Sequence, residues 1–330
     1  MTQIVLAPDT SAAAAETSKR RPWHAVVRAV RGSGSAMVGF FVMVTLVVVA
    51  VASPLLASGD PRVPVGDRFA PPSFAHPFGT DDVGADMLDL VIHALSISLI
   101  IGFVTALLAV SIGVFFGVLA GYYGGRADTV VARFVDFFLV IPDIALVLVI
   151  IAVFPPPALW KMILVLSILL WTWTARVMRA QTKSVKERVY VRRSIALGGS
   201  NIWTITKHVL PQLAPLIVVN VVLTVAVAIF FETALAFLGL GDPTALSLGR
   251  LIDNASSRGA VTNGAWWAIV IPGAFVAAII MSLTLMGTAV EDSLNPRLKV
   301  SHLTRRSFLM LPQRRGADER VGGEAKVKRS

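Results

Sequence analysis

The sequence predicts an all-α polytopic membrane protein with six transmembrane helices, and three observations carry that prediction. Mean hydropathy is +0.73 with only 15% charged residues over 330 positions, far too apolar for a soluble domain of ordinary composition. Apolar runs at 36–57, 91–121, 130–154, 159–180, 216–238 and 265–289 are each long enough to cross about 30 Å of hydrocarbon. The polar segments between them alternate in charge, and the net charge of +10 gathers on one set of them. That asymmetry reads as the positive-inside bias and places both termini on the cytoplasmic side. No aromatic-basic platform or zinc pattern accompanies the charge, so nucleic acid is not an expected partner. The absence of cysteine excludes disulfides, thiolate metal sites and cysteine catalysis.

Residues 1–35 form a polar, alanine-rich tail ending in Lys19, Arg20, Arg21, Arg28 and Arg31, expected to be cytoplasmic; a signal peptide would place its apolar region earlier. The first transmembrane helix, 36–57, then runs outward. Residues 58–90 are rich in Pro and carry Asp60, Asp67, Asp81, Asp82, Asp86 and Asp89 against Arg62 and Arg68, a balance that suits an extracytoplasmic loop. His76 near these acids is a candidate metal ligand, but the simpler reading is an ordered loop capped by Asp side chains.

The second span carries Gly102, Ala106, Ala109, Gly113, Gly117 and Gly121 at spacings of three or four, a row of small residues on one face that lets another helix approach closely. Gly124-Gly125 turns the chain back. The third span holds Asp136 and Asp143 around Pro142, and ionisable groups in a span are functional candidates by default. Pairing with Arg133 is the simpler reading of Asp136; contact with a solute is the other. Pro155-Pro156-Pro157 makes the next turn. The fourth span is anchored outside by Trp160 and Lys161 and inside by Arg176 and Arg179.

Residues 181–215 form a basic island between two apolar runs, with Lys183, Lys186, Arg188, Arg192, Arg193 and Lys207 against Glu187. The spacing predicts two short helices around a turn. Gly198-Gly199 supplies positive φ to end the first, Ser200 or Asn201 caps the second, Ile202, Ile205 and Val209 form one apolar stripe, and Pro211 closes the segment. The fifth span contains Asn220, Thr224, Thr233 and Glu232, the last a candidate for the translocation path alongside Asp136, although a capping or pairing role within the bundle is the simpler reading. Residues 241–264 read as a second outer loop. The sixth span enters through Trp266-Trp267 and contains Pro272-Gly273; the basic residues beyond it form a flexible cytoplasmic tail over 290–330.

Several tracts resemble one family. Ala196-Leu197-Gly198 followed by Leu210-Pro211 is similar to the signature loop of permease subunits of ATP-binding-cassette (ABC) importers. His76-Pro77-Phe78-Gly79-Thr80-Asp81-Asp82, Arg133-Phe134-Val135-Asp136 with Ile141-Pro142, the run from Glu232 to Gly241, and Glu291 to Leu298 resemble the dipeptide, oligopeptide and nickel branch in family order. The sequence departs from the pattern at Ala85, where an Arg is common, and at Arg192, Arg193 and Ser194, which stand in place of a Glu-Ala-Ala triplet. The resemblance implies a type I ABC importer permease fold whose core, 91–289, includes a coupling loop at 181–215. It also implies a second homologous permease, two cytoplasmic ATPase subunits and an extracytoplasmic solute-binding protein as partners, in a cytoplasmic (inner) membrane. On that footing Arg192, Arg193, Ser194, Ala196, Leu197, Gly198, Ile202, Ile205, Leu210 and Pro211 belong to the surface that seats on the ATPase, without an acid-mediated contact.

No G-x-x-x-x-G-K-[ST] loop, H-E-x-x-H pair or G-x-S-x-G elbow occurs, so the chain is not expected to be an enzyme. No cofactor is expected in it; ATP and Mg belong to the partner subunits that the resemblance implies. Peptides are the expected cargo, with nickel or another small solute as the alternative within the class. An ion-coupled secondary transporter is the alternative of another class, and it normally shows two repeated halves, which this sequence lacks.

Overall fold

The computed structural model describes residues 30–56, 60–153 and 158–294. Among them the regular structure is helical, with only two isolated β-bridges, Pro64 to Ala85 and Thr80 to Asp86. Five helical stretches, 34–51, 87–123, 159–186, 201–237 and 267–293, are long and apolar enough to cross a bilayer, and a bent pair over 125–151 makes a sixth when counted as one span. The fold is therefore the all-α polytopic one. Residues 1–29, the Pro155–Pro157 turn and residues 295–330, with the end of the Glu291 to Leu298 tract, lie outside the described residues.

The first run forms α1 (Gly34–Val51), followed after Ala52 by the short α2 (Ser53–Leu56). The second, α3 (Met87–Tyr123), has 37 residues, about 55 Å at 1.5 Å each. It starts where the Asp86 carboxylate accepts from the Leu88 amide at 2.8 Å. It stops at Gly124, whose φ of 68° a side chain would strain. The small-residue row fixes what α3 packs on. Cβ atoms added at Gly113, Gly117 and Gly121 would lie 2.7, 2.6 and 2.7 Å from the carbonyl oxygens of Trp171, Ala175 and Arg179. Those carbonyls are four residues apart along α6 (Leu159–Lys186), so glycine lets the two helices touch backbone to side-chain-free backbone.

Between them stand α4 (Gly125–Val140) and α5 (Asp143–Val153), whose axes differ by 85°. The third span expected over 130–154 is thus broken. Pro142 cannot donate to the preceding turn and forces Ile141 into extended geometry (φ −85°, ψ 129°). Val147 and Ile151 of α5 then bury against Met162 and Leu166 of α6.

After α6 come α7 (Val189–Ala196) and α8 (Asn201–Thr204), then a π-helical turn (Ile205–Val209) that leads without interruption into α9 (Leu210–Phe237). Pro211 does not close the segment: 201–237 is one continuous helical stretch. The wide π turn lies where Pro211, with no N–H, would otherwise leave the Lys207 carbonyl of the preceding turn without its donor. The free part of the expected 181–215 loop shrinks accordingly, because 181–186 completes α6 and 210–215 opens α9.

The outer loop expected over 241–264 contains α10 (Leu248–Ser257), capped by the Ser247 hydroxyl and burying Leu248, Leu251 and Ala255. The last span is α11 (Trp267–Leu294). A Cβ at Gly39 would lie 2.7 Å from Ser282 O, which brings α1 onto α11, and Gly102 lies against Ile229 of α9. Leu95, Ile229, Leu248 and Ile279 share the largest buried cluster. At the start of α3, Trp267 Nε1 donates to Thr80 O at 3.2 Å, Arg62 to Thr244 O at 2.6 Å, and Arg258 pairs with Asp82. These contacts tie residues 60–86 and 242–266 into one cap, at the opposite end of α3 from α7 and α8.

Candidate functional site

The elbow between α7 and α8 is built by backbone chemistry first. Gly198 has φ 84° with no heavy atom near its would-be Cβ; its amide donates to Ile195 O and that of Gly199 to Ser194 O, each at 3.0 Å. This pair of bonds is a Schellman ending, which satisfies carbonyls the helix leaves open. Ser200 Oγ then accepts from the Trp203 amide at 3.4 Å and starts α8. A Cβ at Gly199 would lie 2.9 Å from Ser194, so Ser194 is tucked beneath the turn.

Side chains divide this elbow into an anchored side and a free side. Val191 and Val209 are buried with Tyr122, Met178, Val185 and Leu213. Tyr122 Oη donates to Asn201 Oδ1 at 3.2 Å, and Lys186 Nζ donates to Tyr122 O at 2.6 Å while lying 5.3 Å from the Tyr122 ring centroid. Trp203 and Tyr190 clasp the His208 ring edge-on at 5.0 and 6.0 Å. Facing away are Leu197 and Ile202, 88% and 73% exposed, one on each flank of the Gly198-Gly199 turn. Ala196 is exposed; Arg192 and Arg193 project beside it and help line an open groove of about 630 Å³, with Arg192 3.7 Å from Glu187.

The stripe expected from spacing alone is therefore divided. Ile202 points out, Ile205 and Leu210 are half-buried on the protein itself, Val209 is fully buried, and Pro211 is exposed. The π turn between Ile202 and Val209 shifts the helical register, which a 3.6-residue period does not anticipate. Leu197 carries no periodic signal; its exposure follows from its place as the last residue before a left-handed glycine.

The two acids read as candidates for the translocation path, Asp136 and Glu232, both meet protein partners. Asp136 meets Arg176 of α6 at 3.4 Å, not the expected Arg133. Asp128, two turns earlier on α4, meets Arg179 and Lys183, so α4 and α6 are joined by a line of ion pairs across their faces. Glu232 is 1% exposed. Ser98 of α3 donates to its Oε2 at 3.4 Å and Thr233 at 3.5 Å, with Ser247 beside it. The same Ser98 hydroxyl accepts from the Leu248 amide at 3.0 Å. The carboxyl thus lies beneath the amino end of α10 and joins α3, α9 and α10. His76 Nδ1 is 2.7 Å from Asp86, the cap of α3, and no metal-ligating cluster occurs among the described residues.

Residues 113–300 match the family model described as binding-protein-dependent transport system inner membrane component. The chain is similar to a dipeptide transport system permease protein of Bacillus subtilis, 33% identical over 265 residues that cover 80% of this chain and 82% of that one. It is 31% identical over 279 residues to an oligopeptide transport system permease protein of the same organism, covering 84% and 90%. A dipeptide transport system permease protein of Haemophilus influenzae is 32% identical over 275 residues, covering 80% and 91%.

Proposed function

Since this chain belongs to the binding-protein-dependent transport system inner membrane components, we propose that it is one permease subunit of an ATP-driven ABC importer that moves peptides across the cytoplasmic membrane. It pairs with a second, homologous permease to enclose the path. Two ATPase subunits carrying ATP and Mg dock on its elbow, and a solute-binding protein delivers cargo to the opposite cap. The elbow and both termini face the cytoplasm, in keeping with the basic residues around 183–193.

One observation supports the coupling role above others: Leu197 and Ile202 are large apolar side chains left in water on a turn whose own backbone and underside are fully tied down. Exposed apolar groups on a rigid support suit a groove on another protein. Arg192 and Arg193 stand on the same surface, so the ATPase that fits it presents carboxylates there. Displacement of the elbow passes through Tyr122 into α3, a rod long enough to reach the cap.

The test is peptide uptake into vesicles bearing the complete importer. ATP-dependent uptake that needs the binding protein is expected. Uptake that runs on an ion gradient without ATP would instead establish a secondary carrier, and uptake of nickel with no peptide moved would remove the peptide assignment.

A further inference from the structure

Asp143 has no part in the contacts described above. It opens α5 at the 85° break, is half-buried, and its carboxylate makes no hydrogen bond or ion pair among the described residues, unlike Asp136 and Glu232. It borders a cavity of about 200 Å³ whose other polar walls are Asn220 and Thr224 of α9, and Trp173 of α6 lines it too. Trp173 and Thr224 each sit midway along a 28-residue helix, so the cavity lies at the depth of the hydrocarbon. A carboxylate at that depth is costly against lipid and belongs on a polar passage.

The wall chemistry is one-sided. Asn220 Nδ2 already donates to Leu216 O at 2.9 Å, which leaves its amide oxygen as an acceptor. The Thr224 hydroxyl accepts as well as donates, and Trp173, 62% exposed, offers an indole face that attracts cations. Among the described residues, no basic side chain lines the cavity. One carboxylate without histidine or a second acid is a poor cage for a divalent metal. A carboxylate, an amide oxygen, a hydroxyl and an indole together suit an ammonium group, which brings three donors and one positive charge.

We propose that this cavity holds the amino-terminal ammonium of a peptide in transit, with Asp143 as its counter-ion. The assignment rests on the peptide-importer reading. It places a charge-selective station in the permease itself, downstream of whatever the binding protein selects.

The complete importer in proteoliposomes, with saturating binding protein, tests it using alanylphenylalanine and N-acetyl-lysylphenylalanine. Asp143→Asn is expected to slow alanylphenylalanine uptake about tenfold, the loss of one charge-assisted contact. Asp143→Glu should restore most of that rate, and co-purification of the ATPase subunits with both variants reports intact folding and assembly. Uptake of the acetylated peptide should keep its wild-type rate in all three proteins. Unchanged alanylphenylalanine uptake in Asp143→Asn, or an equal fall for both peptides, would overturn the assignment while leaving the importer reading intact. A wild-type complex that moves neither peptide would overturn both.

Discussion

Tyr122, at the end of α3, and Asn201, at the start of α8, are joined by a 3.2 Å hydrogen bond from the phenol to the side-chain amide oxygen. Tyr122 is also buried and holds Lys186 through its carbonyl and its ring. One residue therefore links α3 to α8 and to the end of α6 that leads into the elbow. Tyr122→Phe keeps the ring and its packing but removes this link. The expected result is normal insertion with more ATP hydrolysed per peptide delivered, by several-fold. An unchanged stoichiometry would show that α3 takes its motion from elsewhere.

Leu197→Asp and Ile202→Asp place charges at the exposed positions on the free side of the elbow, so the protein should fold while ATPase association weakens at least tenfold. Val209→Asp should instead prevent folding, because that position is fully buried among Tyr122, Met178 and Leu213. Co-purification of the ATPases with each variant separates the two classes, and equal behaviour of all three would contradict the division of the elbow.

Gly117→Val forces a branched side chain to within 2.6 Å of Ala175 O, where backbone cannot yield. Separating α3 from α6 should cost about 1–3 kcal/mol or more. Gly273→Val is the control, since no heavy atom stands within 4 Å of its would-be Cβ. Thermal unfolding in detergent should distinguish them by several degrees.

Removing the Glu232 side chain leaves Ser98 without its acceptor and opens a cavity under α10. Glu232→Ala should cost about 2–4 kcal/mol, whereas Glu232→Gln keeps an acceptor oxygen and should cost about 1 kcal/mol. Transport lost in Glu232→Gln at unchanged stability would assign Glu232 to the path and not to bracing.

Asp242 fastens the cap to the start of α6. Its burial raises its carboxyl, but the Thr244 hydroxyl and the amides of Thr244, Leu159 and Ala245 outweigh this and hold it below the ordinary 3.8. A depressed value means that the stabilisation is present above 3.8 and is lost as pH falls through the folded-state value. Unfolding followed between pH 2 and 6 should show a loss in the acid range that Asp242→Asn lacks. Parallel acid curves for the two proteins would remove Asp242 as its source.

Most of the elbow was legible because its signals are local. Gly198-Gly199 and Ser200 dictate a helix end and a helix start whatever surrounds them. The helix α10 had a readable signature as well, Ser247 as cap before Leu248, Leu251 and Ala255 at helical spacing, but the polar context of an outer loop masked it. Asp143 was visible as an acid in a span, yet nothing local distinguishes an unpaired acid from a paired one.

Spans, charge asymmetry, the close-packing row of α3 and the elbow turn were determined by the sequence itself, since hydrocarbon thickness, backbone donors and glycine's missing side chain act within a few residues. Tertiary structure alone decided that Asp136 meets Arg176, that Glu232 lies sealed beneath α10, and that Ile202 remains uncovered while Val209 does not. Each of those outcomes depends on which helices lie side by side and in what register. Periodicity specifies a face, but only the neighbouring helix specifies what that face meets.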